Sequence, residues 1–256
     1  MNFIMYSTSI TENIKFSIRP ISANPSKPAN GSELRKSTKS VVISEYPYLF
    51  SIMLNNGEVC SGVLIGDKHV LTTAQCASLV KANTLVVRVG SNYDTKEGKL
   101  YTTGSVVLHD AYNPETLVNN IAVIAVVEDL SNITEIVMNS DTSYVKPGIQ
   151  GTAAGWGRLN SSTVPEELID DMEVQIMDKK SCLDRPLSAG EFCGGDVKES
   201  KGTCYIPGSP LITKTGNQKK LIGMVSMRDA DVCQQRSDVF VDVSSYKNWI
   251  LRVIGK

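Results

Sequence analysis

Histidine is scarce in this sequence: of 256 residues only two, His69 and His109, carry an imidazole. Any general base working near neutral pH must come from those two positions or from another residue type. Charge of one sign is missing too, since 26 basic residues face 27 acidic ones for a formal net charge of −1. A chain so balanced has no surplus to neutralise a phosphate backbone, which argues against nucleic acid as a partner. No apolar run approaches the roughly 18 residues that cross a bilayer, so no membrane span is expected. The cysteines form no CxxC pair, and neither histidine stands beside one at zinc-ligand spacing. No metal or other cofactor is therefore expected.

What is present suits a secreted, β-rich chain. Apolar residues make up 41% of the sequence, enough for a sizeable core in one or two domains. Cys60, Cys76, Cys182, Cys193, Cys204 and Cys233 form an even set, as in a disulfide framework outside the cytosol. Asn30, Asn132 and Asn160 each open an Asn-x-Ser/Thr triplet, the acceptor pattern for N-linked sugar and one that chance also produces. Met1 to Arg19 lacks a charged start followed by a sustained apolar stretch, so it does not read as a clear signal peptide. Residues 1–40 read as a leader or pro-segment. Pro20, Pro25 and Pro28 interrupt them, six basic residues outweigh two acidic ones, and apolar periodicity is weak.

From Val41 onward, short β-like runs alternate with turn signals. Tyr48–Leu54 precedes Asn55-Asn56-Gly57, and Thr84–Val89 precedes Gly90-Ser91-Asn92. Ile121–Val127 is an apolar run long enough for a fully buried strand. A second half of the same texture begins after Pro147-Gly148 and ends near Val243. Helical spacing shows clearly once, in Tyr246, Trp249, Ile250, Val253 and Ile254, behind Ser244 or Ser245 as cap. The reading is all-β: two barrels, over about residues 41–145 and 146–243, closed by a terminal helix over about 244–255.

Five segments together resemble one family, the trypsin-like serine proteases. Leu71-Thr72-Thr73-Ala74-Gln75-Cys76 is similar to its LTAAHC motif, and Cys60-Ser61-Gly62-Val63-Leu64-Ile65 to the strand that supplies the disulfide partner. Asn120-Ile121-Ala122-Val123 resembles DIAL, Ala154-Gly155-Trp156-Gly157 resembles AGWG, and Gly208-Ser209-Pro210-Leu211 resembles the tail of GDSGGPL. They follow the family's order over roughly Val41 to Lys256. The resemblance implies a chymotrypsin fold of two six-stranded antiparallel β-barrels with a C-terminal α-helix. It also implies the disulfides Cys60–Cys76, Cys182–Cys193 and Cys204–Cys233.

The chemistry of that family needs a serine oxygen, an imidazole and an orienting carboxylate. Gln75 stands at the histidine position, and an amide with no pKa near 7 cannot serve as base. Asn120 stands at the aspartate position, at the family's spacing from Gln75. The nucleophile loop, Cys204-Tyr205-Ile206-Pro207-Gly208-Ser209-Pro210, is one residue shorter than the family pattern. Counting from the cysteine puts Gly208 at the serine position; counting back from Pro210 puts Pro207 there. Neither carries a hydroxyl, and Ser209 falls on a family glycine under either count. Proline contributes no amide to an oxyanion hole, and Ile206 or Tyr205 replaces the glycine that frees the other amide. His69 and His109 read as ordinary strand, surface or packing residues.

The cleft and the activation device are altered as well. By the resemblance, Gly202 stands where primary specificity is set, so a preference for Lys or Arg is lost. Ser226 matches the family's strand, but Met227, Arg228 and Asp238 replace a tryptophan and two glycines of the former S1 pocket. Two readings are open: Arg228 projects towards that pocket, where it can pair with Asp238, or both side chains point to solvent. The stretch Arg35-Lys36-Ser37-Thr38 occupies the expected activation site without an Ile-Val-Gly-Gly terminus. Ile206 or Pro207 holds the position of its aspartate partner, and neither can accept the salt bridge.

The resemblance is closest to mite trypsin-like proteases that have lost their triad, the scabies mite inactivated protease paralogues. Membership there implies a secreted pseudoenzyme of mite gut and faeces that binds host proteins and inhibits complement. Two other functions are weighed: a competitor that sequesters protease substrates or inhibitors through its old cleft, and a hydrolase with non-standard residues.

Overall fold

The computed structural model describes residues 41–54, 57–157, 168–182, 187–198, 202–227 and 237–256. The expected leader, residues 1–40, lies outside the described residues. Turn-punctuated runs of β-branched and aromatic residues become strands, since alternating side chains need two faces to cover. The first six are β1 (Leu49–Met53), β2 (Val59–Gly66), β3 (His69–Thr72), β4 (Leu85–Val89), β5 (Lys99–Leu108) and β6 (Ala122–Val126). They close into an antiparallel barrel in the order β1-β2-β3-β6-β5-β4, with β1 paired to β4. Closure removes the exposed edges that an open sheet would leave. Thr84 stays outside β4: its amide donates to the Thr103 side-chain oxygen at 3.2 Å instead of to a backbone carbonyl, and its hydroxyl donates to the Lys81 carbonyl at 2.5 Å.

A two-residue strand, β7 (Val137–Met138), leaves the first barrel and pairs in parallel with the second. The second barrel contains β8 (Gln150–Trp156), β9 (Ile169–Met177), β10 (Glu191–Asp196), β11 (Pro210–Thr215), β12 (Gln218–Met227) and β13 (Asp238–Asp242). Its order is β11-β8-β9-β10-β13-β12, closed by β11 against β12, with β7 added outside β12. The molecule therefore has two closed six-stranded antiparallel barrels, as the motifs implied. Phe192 and Phe240 stack inside the second, ring centroids 5.3 Å apart, beside buried Ile176, Leu211 and Ile222.

β2 is buried along its whole length, which explains why its sequence does not alternate. One face fills the first barrel; against the other lies the loop before β11, whose Pro207 carbonyl accepts from the Ser61 amide at 2.8 Å. The functional loops thus meet at the seam between the barrels.

The chain ends in a helix that packs Trp249 and Ile250 against the core. Its cap differs from expectation. A 3-10 turn over Val243–Tyr246 comes first, and Asp242, not a serine, caps it by accepting from the Ser244 amide at 2.9 Å. The Ser244 and Ser245 hydroxyls donate to the same carboxylate, which as an anion accepts from all three donors at once. Gly255, left-handed at φ +74°, stops the helix, as C-terminal glycines do.

Candidate functional site

Thr73 has an extended backbone and caps a short helix, α1 (Ala74–Ala77), its Oγ1 accepting from the Cys76 amide at 3.3 Å. The helix buries Ala74, Cys76 and Ala77 and leaves Gln75 exposed. A disulfide from Cys76 to Cys60 fixes α1 on β2.

Asn120 lies just before β6 and is 2% exposed. Its Oδ1 accepts from the Gln75 amide at 2.8 Å. The opposite atom is therefore Nδ2, and it donates to the Ser226 carbonyl at 3.0 Å and to Ser226 Oγ at 3.1 Å. A carbonyl only accepts, so the atom facing it must donate, as Nδ2 does; an ionised carboxylate would set oxygen against that carbonyl oxygen. The Gln75 backbone, the Asn120 side chain and Ser226 are brought together by these bonds.

The loop from Cys204 to Ser209 turns inward. Tyr205 donates its amide to Thr203 Oγ1 at 3.2 Å, and Ile206 donates to the Trp156 carbonyl at 3.0 Å. Gly208 donates to the Val225 carbonyl at 2.9 Å and Ser209 to the Ile206 carbonyl at 3.2 Å. Pro207 has no amide hydrogen to give. Every N–H from Tyr205 to Ser209 is thus spent on the protein itself. Gly208 sits at φ +88°, and a Cβ there would lie 1.9 Å from the Ser61 carbonyl oxygen, so no side chain fits. Pro207 is the partly exposed residue of the loop, its carbonyl 3.9 Å from Cys76 Sγ. Ser209 is fully buried, and its hydroxyl donates to Ser61 Oγ at 3.2 Å. Gly155 packs against it so closely that a Cβ there would come within 2.4 Å of Ser209 Oγ.

Around the former pocket, Gly202 and Asp238 are buried. Asp238 Oδ2 accepts from the Thr203 amide at 2.5 Å and from its hydroxyl at 2.7 Å, anchoring the start of the loop. Met227 ends β12, while Arg228, and with it the pairing to Asp238, lies outside the described residues. Cys182 is bonded to Cys193. Cys204 is disulfide-bonded, and its expected partner Cys233 lies outside the described residues, as do Asn30, Asn160 and Arg35.

The histidines stand elsewhere. His109 packs its ring 5.3 Å from Tyr246 and 5.1 Å from Trp249, and its Nδ1 accepts from the Ala111 amide at 3.2 Å. Burial holds its pKa below the ordinary value, with Asp110 opposing and Arg252 assisting. His69 opens β3, its pKa lowered by burial and then by Lys68 and Lys256. Among the described residues, no hydrogen bond joins either ring to Gln75, Asn120 or the Cys204–Ser209 loop.

Sequence reading did not single out Ser61, Thr203 or the Trp156 carbonyl as partners of this site. Only the Thr203–Tyr205 contact is local; Thr203 and Asp238 are 35 residues apart, and the Ile206–Trp156 and Ser209–Ser61 pairs are more distant still. No local pattern carries such a signal.

Comparison with known proteins gives the family. The chain matches the Trypsin family over residues 36–250. Over 223 residues it is 30% identical to trypsin epsilon of Drosophila erecta, covering 82% of this chain and 83% of that protein. The vitellin-degrading protease of Bombyx mori is 25% identical over 247 residues, 93% of this chain and 92% of its own. Trypsin delta of Drosophila melanogaster is 26% identical over 220 residues, 83% of this chain and 85% of its own. With that match, the two closed barrels and the motifs in order, the chain belongs to the trypsin-like serine protease family.

Proposed function

We propose that this chain is a secreted, proteolytically inactive member of its family that acts by binding other proteins. One observation carries the reading: the loop that should supply nucleophile and oxyanion hole donates all its amides inward and offers Pro207 and Gly208 where a hydroxyl is needed. An oxyanion hole works only if its donors face the reacting carbonyl. Gln75 supplies no base, and Asn120 is bonded as a neutral amide. The disulfides and the secreted habit of the family support an extracellular protein.

The binding surface of this proposal lies outside the former cleft, because the Ser226 carbonyl and the loop amides already have protein partners. By resemblance to the inactivated mite paralogues, its partners are host serum proteins, complement components among them. The test is capture from serum on the immobilised chain, with complement deposition measured in parallel. The proposal expects a retained complement component and reduced deposition. Serum recovered unchanged with full deposition would contradict it.

A further inference from the structure

We propose that Asn132 carries an N-linked glycan whose first sugars lie over an apolar groove on the first barrel. The inference goes beyond the loss of catalysis and does not depend on it, resting only on the secretory route.

Three triplets in the sequence fit the acceptor pattern, and Asn132-Ile133-Thr134 falls among the described residues. It lies on a turn between β6 and β7. Buried Leu130 and Ile136 anchor the turn on either side, and the Ile133 amide donates to the Leu130 carbonyl at 2.8 Å. The Asp129 carboxylate accepts from the Ser131 amide at 2.8 Å and fixes the approach. Asn132 and Thr134 themselves are exposed, and among the described residues the Asn132 amide has no hydrogen-bond partner. A free, exposed acceptor with its threonine two residues on is what glycosyl transfer requires.

The same residues form one wall of a groove of about 580 Å³ whose other walls include Ile43, Pro47 and Tyr101. It is a shallow recess: Tyr101 and Val89 form its buried floor, Ile43, Pro47 and Ile133 are half-buried, and Ser44 and Lys99 also line it. A 2-acetamido sugar attached at Asn132 Nδ2 starts on the groove's own wall, and its acetyl methyl and apolar ring face suit that lining. In the transfer, Nδ2 attacks C1 of a sugar carried on a polyprenyl pyrophosphate. The N–C1 bond forms, the C1–O bond to pyrophosphate breaks, and the amide proton passes to a base of the host transferase.

The experiment secretes the full chain from insect cells behind a heterologous signal sequence and maps glycopeptides by mass spectrometry. The expected result is a sugar-bearing Asn132 peptide from which peptide N-glycosidase releases the glycan, leaving aspartate at position 132. Asn132→Gln and Thr134→Ala should lose it, and Thr134→Ser should keep it. Secreted protein with a bare Asn132 would overturn the site. For the groove, the native glycoprotein and the same sample after enzymatic deglycosylation are titrated with anilinonaphthalene sulfonate. More dye bound after deglycosylation supports coverage of the groove, and equal binding overturns that half of the proposal.

Discussion

Asn120 and Gly208 show how much a single substitution commits its surroundings. Asn120 Nδ2 donates to a backbone carbonyl at a site 2% exposed, so Asn120→Asp replaces a donor by an acceptor without changing shape. Losing a buried bond in this way costs about 1–3 kcal/mol. The variant should unfold at a correspondingly lower urea concentration, and an unchanged midpoint would refute the bonding described. Gly208 presents the reverse case. Restoring the nucleophile by counting forward from Cys204 suggests Gly208→Ser, but the new Cβ would overlap the Ser61 carbonyl at a left-handed backbone position. Strain and overpacking together predict a loss of at least about 2 kcal/mol. Pro207→Ser, at a partly exposed site, should stay within about 1 kcal/mol of the parent. If the two variants were equally stable, the geometry of the loop would be wrong. The sequence left Gly208 and Pro207 as alternatives; a carbonyl contributed by β2, far away in the chain, leaves no room for a side chain at Gly208.

Among the elements, β2, α1 and the loop before β11 form one unit. The Cys60–Cys76 bridge ties the first two, and the Ser61 amide ties β2 to Pro207. Strand positions were largely legible: Tyr48–Leu54, Thr84–Val89 and Ile121–Val127 became β1, β4 and β6 with their ends trimmed by a residue or so. Turn residues and apolar runs are local signals, so a strand can be read without its partners. The helix was equally clear, but its cap was not, because Asp242 also reads as the end of a strand. The inward course of the loop was illegible, since it depends on the Trp156 carbonyl of β8. At this scale the second bridge supplies a test. Cys182 and Cys193 are 11 residues apart, and closing a loop of that size stabilises by about 3 kcal/mol. Cys182→Ala with Cys193→Ala should lower the unfolding free energy by that order, and a smaller m-adjusted change than about 1 kcal/mol would contradict it.

For the whole molecule, pH sets a window of stability from both sides. Burial raises the phenols of Tyr46 and Tyr48 above the ordinary value and pushes that of Tyr246 up to about 12. Unfolded tyrosine titrates near 10, so the fold favours the neutral phenols. The Tyr246 contribution is complete below pH 10 and is lost as the pH rises through about 12, and those of Tyr46 and Tyr48 persist further into the alkaline range. Burial lowers His69 and His109 below 6.5, so their contribution is present above that value and is lost as the pH falls through the lowered ones. A thermal melt series should show a plateau between these limits, and Tyr246→Phe should soften the alkaline limb; stability that climbs above pH 10 would contradict the assignment. Family membership and architecture could be read from five motifs because each lies on or beside a barrel strand: β2, β3, β6, β8 and β11. The closure of the catalytic loop could not, and the functional reading depends on it. The most direct measurement is therefore active-site titration of the purified chain, with and without trypsin pretreatment, by a fluorophosphonate probe and an activated ester. The account predicts neither labelling nor turnover in both samples. Stoichiometric labelling at Ser209 would show an accessible, activated hydroxyl where the structure places a buried one, and would contradict it.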